Sequence, residues 1–463
     1  MSKKSEYGFE FEHILKSKNT DLNVAFKFCD GYKDFIDAAK TERECINEII
    51  KIAKANNYVE YGKDITSLKP GDKIYFDNRG KSAVLVTIGK KSLDEGVNFV
   101  VSHIDSPRLD LKPYPVYECD EISYFKTHYY GGIKKYQWPT IPLSMHGRIF
   151  KEDGSFVDIN YGEKDNEPKF IITDLLPHLA KEQEKRTLGD GIKGEELNIV
   201  IGSLPINEEN EEIKNKVKEK TLKILHDTFG IKEKDFLRAE IEFVPATKSS
   251  DIGFDRSLIA AYGQDDRVCA YPALMAEIEN TNPEKTSVTV FTDKEEIGSE
   301  GNTGMKSDFV FDFLSDLFDI ANVKNRDCYR KSICLSSDVN SAYDPSFPDV
   351  FEKQNSSYIN KGVVLTKYTG HAGKSGSNDA SAETMAKVIK LMDADDVAWQ
   401  IGELGKVDIG GGGTIAKFMS RRNIDTIDLG VAVLSMHAPY ELTSKLDIYH
   451  TYLAYKAFLK NVD

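Results

Sequence analysis

The sequence predicts an α/β protein whose mostly parallel sheet is flanked by helices, with a separate β-rich segment in the middle of the chain. Three observations carry that expectation. Short apolar runs alternate with helical patterns up to Ser102 and again from about Ile241, and such alternation builds a parallel sheet covered on both faces. Between about Arg108 and Glu242 the composition shifts to tyrosine-rich strands broken by Gly and Pro, followed by a very polar stretch from Lys181 to Lys220, which reads as a separate or inserted domain. The length, 463 residues, also exceeds one simple domain at roughly 100–200 residues each. The expected division is 1–107 and 241–463 for the α/β part, with 108–240 as the insertion.

The elements follow in order. From Asp30 to Asn56, Phe35, Ile36, Ala39, Ile46, Ile49 and Ile50 recur at helical spacing. Ile74–Phe76 and Ala83–Ile88 read as two strands around the turn Asp77-Asn78-Arg79-Gly80. Asn98–Ser102 is a strand that ends in His103-Ile104-Asp105-Ser106-Pro107. The polar segment holds one expected helix, Glu208 to Phe229. Beyond it, Ser287–Phe291, Ser332–Leu335, Gly362–Leu365, Thr426–Ile427 and Val431–Leu434 read as strands. Helical patterns cover Val268–Ile278, Ala380–Met392 and Lys445–Leu459.

Composition excludes several functions. Sixty-one basic against 75 acidic residues give a net charge of −14, the wrong field for a nucleic-acid or membrane-surface binder. Hydrophobic residues at 40% and aromatics at 10% exclude a disordered chain. The six cysteines are scattered without a Cys-x-x-Cys pair, so neither a disulfide framework nor a zinc knuckle is expected. No apolar run approaches the roughly 18 residues of a membrane span. The start, Met1-Ser2-Lys3-Lys4-Ser5-Glu6, lacks a signal peptide's apolar segment. A cytoplasmic protein is the expectation.

Five places can carry chemistry, and each has a plainer reading. His103 sits just past a strand with Asp105 two residues on, a metal ligand with an orienting carboxylate or simply a turn cap. Asp265-Asp266 precede a helix, where acids also favour the helix dipole. Glu295-Glu296 follow a β-branched strand. One carboxylate there can bind metal while its neighbour acts as a base, or both can line a charged loop. Asp338 and His437 each end an apolar strand. Together, His103, Asp265, Glu296, Asp338 and His437 offer two neutral imidazoles and three carboxylates. That set balances two divalent cations and a hydroxide, with Asp265 shared. Zinc takes such a mixture, and manganese and cobalt are permitted. Glu295 is then the spare carboxylate that deprotonates a water.

These motifs resemble the aspartyl aminopeptidase and vacuolar aminopeptidase I family of dinuclear zinc metallopeptidases. The likeness runs from Asp34-Phe35-Ile36-Asp37 to Lys456-Ala457-Phe458. It is strongest at Ser102-His103-Ile104-Asp105-Ser106-Pro107, Tyr130-Gly131-Gly132, Asp265-Asp266, Glu295-Glu296-Ile297-Gly298-Ser299, Ser337-Asp338, Gly413-Thr414-Ile415 and Leu434-Ser435-Met436-His437. The resemblance implies that His103, Asp265 and Asp338 hold one metal, and Asp265, Glu296 and His437 the other. It implies that Asp105 orients His103 and that Glu295 is the general base and proton donor. A cis bond at Asp265–Asp266 is implied as well. So are an inserted dimerisation domain, a homododecamer built from dimers, and peptide substrates with a free N-terminus.

The chain departs from the family pattern at Ala438-Pro439-Tyr440-Glu441, at Val339-Asn340-Ser341-Ala342-Tyr343-Asp344-Pro345 and at Gly370-His371-Ala372-Gly373-Lys374-Ser375. Lys374 is expected as a solvated loop lysine, not a contact for an acidic substrate side chain. Gly373-Lys374-Ser375 hints at a phosphate loop, but Tyr368 stands where that pattern needs Gly. Gly410-Gly411-Gly412-Gly413 can line the substrate site or pack as a turn. His128 is a candidate oxyanion-stabilising or substrate-contacting residue for a neighbouring subunit's site. Two rival functions remain: a deacylase or carboxypeptidase-like amidohydrolase with the same metals, and a non-catalytic assembly shell.

Overall fold

The computed structural model describes residues 7–207 and 214–461. The chain divides into two compact units. One comprises Met1–Asp105, Ser249–Met436 and Glu441–Asp463; the other Ser106–Lys248 and His437–Tyr440.

The first unit is built on a nine-stranded sheet. Its order is Val59–Glu60, Lys73–Asn78, Ser82–Thr87, Ser287–Thr292, Asn98–His103, Ile333–Ser337, Asp425–Gly430, Val363–Thr366 and Trp399–Ile401. The sheet is mixed. The central run from Ser287–Thr292 to Asp425–Gly430 is parallel. Ser82–Thr87 pairs antiparallel with both its neighbours, and Val363–Thr366 runs antiparallel to Asp425–Gly430. Lys73–Asn78 and Ser82–Thr87 are antiparallel because a tight turn joins them: Arg79 and Gly80 both have positive φ, and the Asp77 carboxylate accepts the Gly80 N–H at 2.7 Å. Such a turn leaves no room for a crossover helix.

Side chains along the strands alternate between two cores, as a period of two requires. Ala83 and Leu85 enter a core shared with the helices Leu22–Ala38, Glu42–Ala55 and Gln264–Glu279. Val84 and Val86 enter a core shared with Phe309–Ala321. The single helical pattern read from Asp30 to Asn56 is two helices, Leu22–Ala38 and Glu42–Ala55. Thr41 begins the second, its hydroxyl accepting the Glu44 N–H at 3.3 Å, an N-cap that interrupts an otherwise continuous apolar stripe. Val431–Leu434 is also different from its reading. Ala432–Leu434 belongs to a separate five-stranded sheet with Ser250–Ile252, Leu258–Ala261, Glu441–Ser444 and Asn340–Ser341.

The second unit carries a seven-stranded sheet in the order Phe156–Tyr161, Leu143–Phe150, Ala239–Pro245, Arg108–Cys119, Ile122–Tyr130, Ile199–Gly202 and Ile171–Ile172. Every one of its pairings is antiparallel. The start expected at Glu208 lies outside the described residues; the helix observed is Lys216–Phe229, with Asn215 at its N-cap. All six cysteines are free thiols. Among the described residues no helix is long and apolar enough to cross a membrane.

Candidate metal centre

Register places the candidate residues on one rim. Ser287–Thr292, Asn98–His103 and Ile333–Ser337 run parallel, with Thr292 beside His103 and Ser337 beside Ser102. Their carboxyl ends therefore coincide, the usual place for a site in such sheets. His103 ends the middle strand, the Glu295–Ile297 turn follows one neighbour and Asp338 follows the other. Asp265 and Asp266 come from the start of the Gln264–Glu279 helix. Neither has helical torsions, so regular helix begins only after them. The peptide bond between them is cis.

His103 is the hub. Its Nδ1 lies 3.1 Å from the Asp105 carbonyl oxygen and 3.4 Å from the Asp105 carboxylate. A proton held there leaves the Nε2 lone pair facing the acids. Nε2 is 3.0 Å from Asp265 Oδ1 and 3.8 Å from Asp338 Oδ1. The Asp105 carboxylate also accepts the N–H groups of Glu295 at 3.1 Å and Glu296 at 3.2 Å. One buried carboxylate thus fixes both the imidazole and the turn that carries the two glutamates.

Two groups of donor atoms lie within 4.8 Å of one another: His103 with Asp265 and Glu296, and His103 with Asp266 and Asp338. The carboxylates are packed where water is scarce. Burial pushes Asp266 and Asp338 well above the usual carboxylate range, and the charge of Asp265 adds to the rise in both. Burial alone would lower His103, but its bonds to Asp105 and Asp265 and the nearby acids outweigh it and raise the imidazole. Four carboxylates around one imidazole therefore call for positive charge at their centre. The donor set, imidazole nitrogen plus carboxylate oxygen, fits zinc.

The structure brings His103, Asp105, Asp265, Glu295, Glu296 and Asp338 to this rim. His437 joins neither donor group. It lies with the second unit, where its Nδ1 is 2.8 Å from the Gly132 carbonyl oxygen. His128 is exposed on the Ile122–Tyr130 strand of that unit, its Nδ1 2.8 Å from the Tyr129 carbonyl oxygen. Lys374 pairs with Asp379 at 3.1 Å, a carboxylate that Lys367 shares, and lies over the Tyr368 ring. Its charge is engaged within its own loop. Gly370–His371 pairs with Gly411–Gly412 as a small two-stranded ribbon.

Two residues were missed as donors or supports. Asp266 enters a donor group although its paired-acid motif suggested only Asp265 as a ligand; consecutive acids outside regular helix can face different ways. Glu441 accepts the Asp265 N–H at 3.1 Å through Oε2. The sequence signal for Glu441 was only its place after an apolar strand and a turn. Gly430 supports the rim by close approach, since a Cβ there would collide with the Asp338 carbonyl and press on Cys269. Gly430→Ala is expected to lower unfolding free energy by about 1–3 kcal/mol, measured by urea denaturation.

Residues 35–459 match the family described as aminopeptidase I zinc metalloprotease (M18). A Clostridium acetobutylicum protein named "Probable M18 family aminopeptidase 1" is 49% identical over 454 residues, covering 96% of this chain and 97% of the relative. The crystal structure of an M18 family aminopeptidase from Thermotoga maritima superposes with a TM-score of 0.94 at 43% identity, covering 98% of this chain and all of that one (100%). The S. cerevisiae mApe1 dodecamer shares the fold, with a TM-score of 0.75 at 22% identity over 94% of this chain and 97% of that one. The chain belongs to the aminopeptidase I zinc metalloprotease (M18) family and is a metal-dependent aminopeptidase.

Proposed function

We propose that this aminopeptidase works through a dinuclear centre with Glu295 as its general base. The observation that carries the reading is the pair of overlapping donor groups that share His103. The proposed ligands are His103, Asp265 and Asp338 for one ion and Asp265, Glu296 and His437 for the other, with Asp105 orienting His103. His437 is assigned from the Leu434-Ser435-Met436-His437 motif. The nearness of Asp266 to Asp338 and His103 makes it a further candidate donor. Zinc is the proposed metal, with manganese and cobalt as substitutes.

When bound, the ions supply Lewis acidity and lower the pKa of water. The chain's own residues do the rest. Asp105 fixes the imidazole and the Glu295–Ile297 turn in one frame. Glu295 is only partly buried, so its carboxylate can meet a substrate. It takes a proton from the attacking water on a carboxylate oxygen and hands it to the leaving amine nitrogen.

Substrates are proposed to be peptides with a free N-terminus. Acetylation of the α-amine is expected to reduce cleavage of an aminoacyl p-nitroanilide to background, measured by absorbance. Equal cleavage of the blocked substrate would support a deacylase or another amidohydrolase instead.

The second unit is proposed as a dimerisation module within a homododecamer. Its antiparallel sheet and the exposed Leu175, Leu176, Leu179 and Leu188 support that role. The free thiols support a reducing compartment such as the cytoplasm. No nucleic-acid or membrane partner is proposed, in keeping with the net charge of −14.

A further inference from the structure

We propose that Arg267 is a positioning residue that sets the spacing between His103 and Asp265 by clamping the peptide of Ile104. The proposal rests on the metal-centre reading above. Arg267 is 1% exposed. A buried guanidinium ordinarily faces a carboxylate. This one donates to backbone carbonyls: Nε to Ile104 at 3.1 Å and Nη2 to Lys40 at 2.9 Å. Nη1 is buried with no hydrogen-bond partner among the described residues.

The location gives those bonds their meaning. Arg267 directly follows Asp265 and Asp266 on the helix that brings both acids to the rim. Ile104 lies between His103 and Asp105 and is itself buried. The Ile104 N–H donates to the Thr292 carbonyl at 2.9 Å, at the end of the strand that leads to Glu295 and Glu296. The Ile104 backbone is thus held at its N–H by the glutamate-bearing segment and at its carbonyl by the aspartate-bearing helix. The second arm of the guanidinium, on Lys40, ties the clamp to the break between the first two helices.

Arginine suits this task better than lysine. Its planar fork presents donors in fixed directions and reaches two carbonyls at once, whereas an ammonium is a rotatable point charge. Loss of one arm would let the His103–Asp105 segment and the helix start drift apart. Partners that orient metal ligands typically contribute about 10- to 100-fold in metal affinity.

The test uses the full-length protein with Arg267→Lys and Arg267→Gln. Zinc affinity is measured by competition with a chromogenic chelator, the cobalt-substituted forms by their ligand-field absorption, and the metal-free forms by thermal melting. Both variants are expected to bind zinc about 10- to 100-fold more weakly and to show an altered cobalt spectrum, while the metal-free proteins stay folded. Unchanged zinc affinity with an unchanged cobalt spectrum in Arg267→Lys overturns the proposal. If Arg267→Gln does not fold, Arg267→Lys decides alone. An unfolded Arg267→Lys also overturns it, because the residue would then serve the fold and not the centre. Failure of the wild-type protein to bind zinc would count against the metal-centre reading itself.

Discussion

Glu295→Gln is expected to lower kcat by about 10²- to 10⁴-fold while zinc content and assembly stay at wild-type levels. The amide keeps the size of the carboxylate but cannot take up a proton from water. The turn that carries it should not move, because Asp105 holds that turn through the backbone N–H groups of residues 295 and 296, not through the Glu295 side chain. Glu296, the proposed ligand, is left intact. Turnover of an aminoacyl p-nitroanilide, zinc by atomic emission and subunit assembly by light scattering check the three parts separately. Near wild-type turnover would remove Glu295 from the reaction. Lost turnover accompanied by lost zinc would recast it as a ligand. The variant also addresses the assembly-shell alternative, since a scaffold has no use for a base beside its ligands.

Removal of the metals is expected to abolish turnover and to destabilise the first unit. Asp265, Asp266, Asp338 and Glu296 converge on His103 within a few ångströms, and burial already disfavours the charged forms of Asp266 and Asp338. Without cations these acids repel one another in a poorly screened space. An ion at about 100 times its dissociation constant stabilises the state that binds it by about 2.7 kcal/mol. Dialysis against a chelator should therefore lower the melting temperature and stop hydrolysis, and stoichiometric zinc should restore both. Full activity after exhaustive chelation would contradict the metal requirement. A melting temperature indifferent to zinc would contradict the electrostatic reading of the cluster.

The site was more legible in the sequence than the architecture around it. His103, Asp338 and the Glu295-Glu296 pair could be found because each follows an apolar run, and in a parallel sheet the ends of such runs meet on one rim. His437 was read from the same pattern, and it follows the Ala432–Leu434 strand, but it enters neither donor group and lies with the second unit. Asp266 was visible as one of a pair but could not be separated from Asp265, because a sequence gives no torsions for two residues ahead of a helix, and neither is helical here. Glu441 and Arg267 act through a backbone N–H and backbone carbonyls, partners that leave no pattern in a list of side chains. The mixed character of the nine-stranded sheet was hidden for a similar reason. Apolar runs give strand positions but not direction, and only the short Asp77–Gly80 turn hinted at an antiparallel pair. The helix break at Thr41 was legible in principle as an N-cap, yet the apolar stripe on both sides of it read as one helix.

The proposed dinuclear centre requires two metal ions side by side on this rim. The most direct measurement is anomalous diffraction at the zinc edge from crystals grown with zinc. Two peaks per subunit are expected, roughly 3.5–4 Å apart, flanked by His103, Asp265, Glu296 and Asp338. A single peak, or two peaks away from His103, would contradict it.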